Sequence, residues 1–112
     1  MKKVVISSAI QNVTEVRGGV ERATQVLEET IGPTARHVDA DWSLTQDSSG
    51  RRLIKLLLSD FTGARTESRF EPAEFHRPGH LPAKLYKIWG DLLQVRSHKQ
   101  LEVLSGSIEG GR

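Results

Sequence analysis

The sequence predicts an α+β fold: a three-stranded antiparallel meander with helices before and after it, in the order α-β-β-β-α. Three observations predict it, namely an amphipathic helical spacing before Gly32, alternating polarity over residues 38–70, and a second helical spacing after Pro82. Both helices should pack on one face of the sheet, because a chain of 112 residues builds a single core. Residues 4–6 are β-branched, so an extra N-terminal strand stays open.

Apolar residues at steps of three or four indicate the first helix. They are Ile10, Val13, Val16, Val20, Ala23 and Leu27. Gly18 and Gly19 weaken its beginning, since glycine costs about 1 kcal/mol relative to alanine inside a helix. Residues 1–16 therefore either extend the helix or form a separate turn or strand. The glycine pair is more typical of a bend or a close helix contact than of a phosphate-binding loop.

The first two strands are predicted to form a hairpin across the turn at residues 47–51, with Gly50 in the left-handed position. The register that matches apolar to apolar residues pairs Leu44 with Ile54, Trp42 with Leu56 and Ala40 with Leu58. A third, charged strand over residues 64–71 has the chemistry of a sheet edge.

The last helix begins near Pro82 and carries Leu85, Ile88, Trp89, Leu92 and Leu93 on one side. Its continuation would bring Arg96 and Lys99 to the apolar side, so we expect a break near Ser97 and a short final helix with Leu101 and Leu104. These elements predict one domain over residues 1–105 and a flexible C-terminal tail over residues 106–112.

Composition excludes several classes of protein. The chain has no cysteine, which excludes disulfides, thiolate zinc sites, iron–sulfur clusters and a cysteine nucleophile. Its apolar runs are far shorter than the roughly 20 residues of a membrane helix. We therefore expect a soluble, cytoplasmic protein that needs no cofactor and does not bind membranes.

Catalytic and metal-binding motifs are weak. His37, Asp39 and Asp41 share one strand face and could hold a metal, but a solvent-facing polar row explains them better. The chain has no nucleophile motif, and a small enzyme is only the third functional hypothesis.

Basic residues concentrate in the second half of the chain. The net charge of +2 divides into seven acidic and five basic side chains over residues 1–50 and seven acidic and eleven basic ones over residues 51–112. A nucleic-acid or phosphate-binding module is therefore the alternative hypothesis. Its candidate residues are His76, Arg77, His80, Lys84, Lys87, Arg96 and Lys99.

The leading hypothesis is a small binding or adaptor module that contacts another protein or a second copy of itself. Leu53 and Leu57 point away from the face that carries Leu56, so they should face water unless residues 1–16 or a partner cover them. Arg65 and Arg69 on the third strand would form the polar rim of that contact.

Overall fold

The computed structural model describes the backbone of residues 1–110 and the side chains of residues 1–101. It is an α+β fold, as predicted. Its strands are β1 (Lys3–Ile6), β2 (Val38–Gln46), β3 (Arg52–Asp60) and β4 (Arg65–Phe70). Its helices are α1 (Ser8–Gln11), α2 (Thr14–Ile31) and α3 (His80–Gly110), and 3₁₀ helices cover Gly32–His37 and Pro72–His76.

The sheet has four strands in the order β1-β2-β3-β4. β1 lies parallel to β2, and the other neighbours are antiparallel. The N-terminal strand that the sequence left open is therefore present, at the edge beside β2. Between β2 and β3 the register pairs Leu44 with Ile54 and Trp42 with Leu56, which confirms the prediction.

Trp42 lies at the centre of the core and joins the sheet to α2. Its side chain is fully buried, and its indole N–H donates a 3.0 Å hydrogen bond to the Thr24 hydroxyl. That hydroxyl in turn donates to the carbonyl of Val20, 2.9 Å away. Phe70 and Phe75 pack against the indole, with ring centroids 5.7 and 6.3 Å from it. The core cluster therefore draws on α2, α3 and one face of the sheet.

α2 includes the glycine pair in its second turn. A Cβ at Gly19 would lie 3.1 Å from Cγ of Phe75, whereas a Cβ at Gly18 would meet nothing within 4 Å. Gly19 thus lets the helix approach the 3₁₀ helix that carries Phe75. The close contact favoured from the sequence is present at Gly19 alone.

The break expected near Ser97 is wrong, because α3 continues through it to Gly110. Arg96 does turn toward the core side, but its Nε donates to the Asp60 carboxylate at 2.6 Å. Its guanidinium also lies 5.5 Å from the Phe61 ring and 5.7 Å from the Trp89 ring. A long cationic side chain of this kind can cover apolar surface while its charge is paired, so the helix need not end.

The prediction of a flexible tail at 106–112 falls on residues whose side chains lie outside the described part of the chain. It stays a prediction, as does the single domain over residues 1–105.

Alanine substitutions at the two glycines should have opposite effects on stability. Gly18→Ala should raise the free energy of unfolding by about 0.5–1 kcal/mol, because alanine orders more cheaply in a helix. Gly19→Ala should lower it by roughly 1–3 kcal/mol, because the new methyl group meets the packed Phe75 ring. Urea denaturation of the two variants, which have the same composition, measures the difference. Equal stabilisation by both would contradict the close contact at Gly19.

Candidate functional site

One face of the sheet lies outside the core cluster. The side chains on it alternate with the core side chains along each strand, and we call this surface the open face. Its members in the strands are Lys3, Val5, Asp39, Asp41, Ser43, Thr45, Leu53, Lys55, Leu57, Ser59, Arg65, Glu67 and Arg69. None of them belongs to the core that the helices share with the other face.

The open face carries two partly exposed apolar residues, Val5 on the edge strand β1 and Leu57 on the inner strand β3. Cross-strand pairing aligns them in one row, in the order Val5, Asp41, Leu57 and Glu67. The side chain of Val5 is 39% exposed and Leu57 is half-buried. Asp41 separates Val5 from Leu57 in this row, so the apolar centre of the face is Leu57, flanked by the Asp41 and Glu67 carboxylates.

Leu53 differs from the expectation that it faces water, since it is only 8% exposed. It lines a surface cavity together with Arg51, Arg69 and Glu71, whose long side chains shield it. Charged side chains near the β2–β3 turn therefore line the space over Leu53, where the sequence left residues 1–16 or a partner as the cover. Leu57 keeps part of its surface open, and β1 adds Val5 on the far side of β2 instead of covering it.

Charged side chains surround this apolar centre. Glu67 lies between Lys55, at 3.8 Å, and Arg69, at 3.3 Å. Arg65 and Asp41 are exposed. The open face thus carries four basic and three acidic side chains, so its net charge is small.

Glu74 gathers two of the basic residues predicted to bind anions. Its Oε1 lies 2.7 Å from His80 Nε2 and 2.9 Å from Lys84 Nζ, and its Oε2 accepts from the Glu71 N–H at 2.6 Å. Burial would raise the pKa of Glu74, but the hydrogen bonds from Lys84, His80 and Glu71 outweigh it and lower the pKa to about 2. Lys84 also donates to the carbonyl of Arg69, at 2.6 Å. These contacts fasten the start of α3 to β4.

Asp60 binds a third predicted residue, Arg96. Its carboxylate is fully buried, and it also accepts from the N–H and hydroxyl of Thr62. Burial would raise the pKa of Asp60, but Thr62 and Arg96 stabilise its ionised form and lower the pKa overall. The pair closes the β3–β4 turn against α3.

The other predicted cations do not gather into one cluster. Lys87 pairs with Asp91 one turn later on α3, at 3.2 Å. His76 ends the second 3₁₀ helix and Arg77 follows it, both exposed, and Lys99 lies beside Gly63. Acidic side chains therefore hold Lys84, Lys87 and Arg96, and His80 contacts Glu74. Among these pairs, only Lys87 with Asp91 has a signal in the sequence, the i, i+4 spacing. No sequence pattern indicates Glu74 or Asp60 as a partner.

The row of His37, Asp39 and Asp41 shows no metal-binding geometry. His37 lies edge-on to the Phe61 ring and 3.2 Å from the Arg36 guanidinium. Within the described residues, no group of three or more His, Asp or Glu side chains is arranged to hold a metal ion. None of the helices in that part of the chain has both the length and the apolar character that crossing a membrane demands.

The chain matches no protein-family model, no curated protein and no solved structure. Its function must therefore be inferred from the geometry of its own residues.

Replacing Glu74 should flatten the acid end of the stability profile. The folded-state pKa of Glu74 is lowered to about 2, so its carboxylate contributes stability above the unfolded pKa, which is lost as the pH falls toward 2. Glu74→Gln should cost about 1–3 kcal/mol at pH 7, and this deficit should shrink between about pH 5 and pH 2. Urea denaturation at several pH values measures it.

Glu67→Gln is the matched control, because Glu67 makes exposed ion pairs. Such pairs contribute at most about 1 kcal/mol. A Glu74→Gln deficit that persists at the acid limit, or an equal loss in the control, would contradict the role given to Glu74.

Proposed function

We propose that the chain is a non-catalytic binding module that acts through its open face, and that the partner is a second copy of the chain. The observation that carries this proposal is the one-sided sheet. Its helices share a core with one face only, while the other presents Leu57 among charged side chains, with Val5 on the edge strand. An apolar centre with a polar rim is the usual anatomy of a protein interface.

The dimensions of the face suit such a contact. Four strands span about 19 Å, and nine residues of extended chain span about 30 Å, so the flat area is roughly 500 Å². The side chains project from this plane, so the accessible surface is larger than the flat area. It approaches the area that each partner buries in a standard interface, about 800 Å².

Charge balance supports a second copy as the partner. A face of strong single charge would repel itself in a symmetric contact, because the same patch meets on both sides. The open face carries four basic and three acidic side chains, so each copy offers both signs to the other. Arg65 is exposed at one edge, and Asp41 is exposed near the other.

Nucleic-acid binding through residues 76–99 has less support. Lys84, Arg96 and Lys87 are held by Glu74, Asp60 and Asp91, so their charges are largely spent within the chain. Affinity for nucleic-acid phosphates depends on free cations of the protein, which displace the counterions condensed on the nucleic acid.

Leu57→Lys should weaken self-association. The new ammonium would sit between Asp41 and Glu67, which pair across from it, so the monomer should tolerate it. In the dimer it would introduce two positive charges into an apolar centre. We expect a dissociation constant at least about tenfold higher, measured by sedimentation equilibrium over a range of concentrations.

The matched control is Leu101→Lys on α3, where the side chain is 59% exposed and far along the chain from the open face. It should associate as the wild type does. A wild-type protein that stays monomeric at all concentrations would overturn the second copy as the partner. Equal weakening by both variants would overturn the open face as the contact.

A further inference from the structure

Basic side chains from four distant parts of the sequence meet at one end of the sheet, and we call this group the basic end. The end is the one where β2 begins and where the β3–β4 turn lies, because Val38 pairs with Asp60. The members of the basic end are Lys2, Lys3, Arg36, Arg65 and Lys99.

The two edge strands contribute three of these side chains. The N–H of Lys2 donates to the carbonyl of Val38 at 2.9 Å, which fixes the start of β1 at this end. Lys3 on β1 and Arg65 on β4 are the outer members of one cross-strand row. Four strands have three intervals of about 4.8 Å, so the row is about 14 Å long.

The other two cations come from outside the sheet. Arg36 precedes β2, and its Nε lies 3.2 Å from Nε2 of His37. Lys99 reaches the β3–β4 turn from α3, since a Cβ at Gly63 would lie 3.0 Å from its Nζ. The fold thus gathers charges that are far apart in the sequence.

Few carboxylates offset the basic end. All five of its side chains are exposed, and within the described residues none of them forms an ion pair. In the strands, the acidic side chains at this end are Asp39 and Asp60, and Asp60 is paired with Arg96. The next ones, Asp41 and Glu67, lie about 7 Å farther along the strands. Even with Asp41 counted, five cations face two unpaired carboxylates, so the surplus is about three.

An aromatic ring lies open among these charges. Phe61, in the β3–β4 turn, is 68% exposed. Its ring centroid lies 5.5 Å from that of His37, and the Arg96 guanidinium is also 5.5 Å away. These contacts position the ring at the basic end and leave most of its surface free.

We propose that the basic end binds single-stranded nucleic acid, with phosphates at its cations and an unpaired base stacked on Phe61. A positive track beside an aromatic ring is how proteins bind single strands without reading their sequence. At 3.4 Å per phosphate of a stacked strand, the row from Lys3 to Arg65 matches about four phosphates. Arg36, Phe61 and Lys99 lie outside the open face, so this site does not depend on self-association.

Duplexes and lipid surfaces fit this end less well. The bases of a duplex are paired and stacked on one another, so none is free to stack on Phe61. Attachment to a lipid surface requires an amphipathic element that buries an extended apolar face, whereas Phe61 is a single ring among cations.

The test is the fluorescence anisotropy of a labelled single strand of about 12 nucleotides, titrated with the full chain. Binding should saturate at about 50 mM salt and weaken at least about tenfold at about 200 mM, because phosphate contacts displace counterions. The same strand annealed to its complement and vesicles of phosphatidylcholine with phosphatidylserine are the comparison ligands.

The ring is tested by exchanging it. Phe61→Ala should weaken single-strand binding about tenfold, the usual effect of losing one base–aromatic stack, and change duplex binding less than twofold. Phe61→Trp should restore the single-strand affinity, which a merely structural role of the phenyl ring would not predict. Tyr86→Ala is the matched control, because Tyr86 is 70% exposed on α3, and it should change the affinity less than twofold.

The cations are tested by the salt dependence. Arg36→Gln should reduce the slope of log affinity against log salt by about 0.7, the contribution of one phosphate contact on a single strand. Arg22→Gln removes the same charge from an exposed position on α2 and should leave the slope unchanged. Absence of saturable single-strand binding, equal effects of Phe61→Ala and Tyr86→Ala, or binding to the vesicles in place of the oligonucleotide would overturn the proposal.

Discussion

The hydrogen bond between the Trp42 indole and the Thr24 hydroxyl joins the two layers on which the rest of the structure depends. Both groups are buried, and the bond satisfies a donor that would otherwise cost about 1–3 kcal/mol inside the core. Phe70 and Phe75 complete the packing around the indole. Because α2 and the second 3₁₀ helix both meet the sheet at this tryptophan, the helices gather on one face. The other face is left to the alternate side chains of the same strands.

α3 is fastened to this core by two ion-pair clusters. Glu74 holds His80 and Lys84 near the start of the helix, and Asp60 holds Arg96 about four turns later. In the sequence these cations resemble a ligand-binding stretch, but in the fold their first role is to dock a helix. Of the basic residues predicted to bind anions, Arg77 and Lys99 lie outside these two clusters.

The sheet could be predicted from the sequence because its signals are local. Alternation places Trp42 and Leu56 on one face, and Gly50 marks the turn that sets their register. The continuity of α3 could not be predicted in the same way. It depends on the ion pair of Arg96 with Asp60, and Asp60 lies 36 residues away in the chain. The cover of Leu53 was missed for a similar reason. Arginine and glutamate side chains line the space over Leu53. A pattern of polar and apolar residues does not show that the aliphatic parts of such side chains can cover apolar surface.

The central claim is that the helices cover one face of the sheet and that the other is a contact surface. The absence of native cysteine allows a direct measurement with single-cysteine variants. Ser59→Cys lies on the open face and Ala40→Cys lies in the core, and alkylation rates report their accessibility. In dilute protein Ser59→Cys should react at least about a hundredfold faster than Ala40→Cys, since burial that requires unfolding suppresses reaction strongly. As the protein concentration rises, the rate at Ser59→Cys alone should fall. A cysteine at position 59 that is as protected as the one at position 40 in the dilute protein, or that stays equally reactive at every concentration, would contradict the claim.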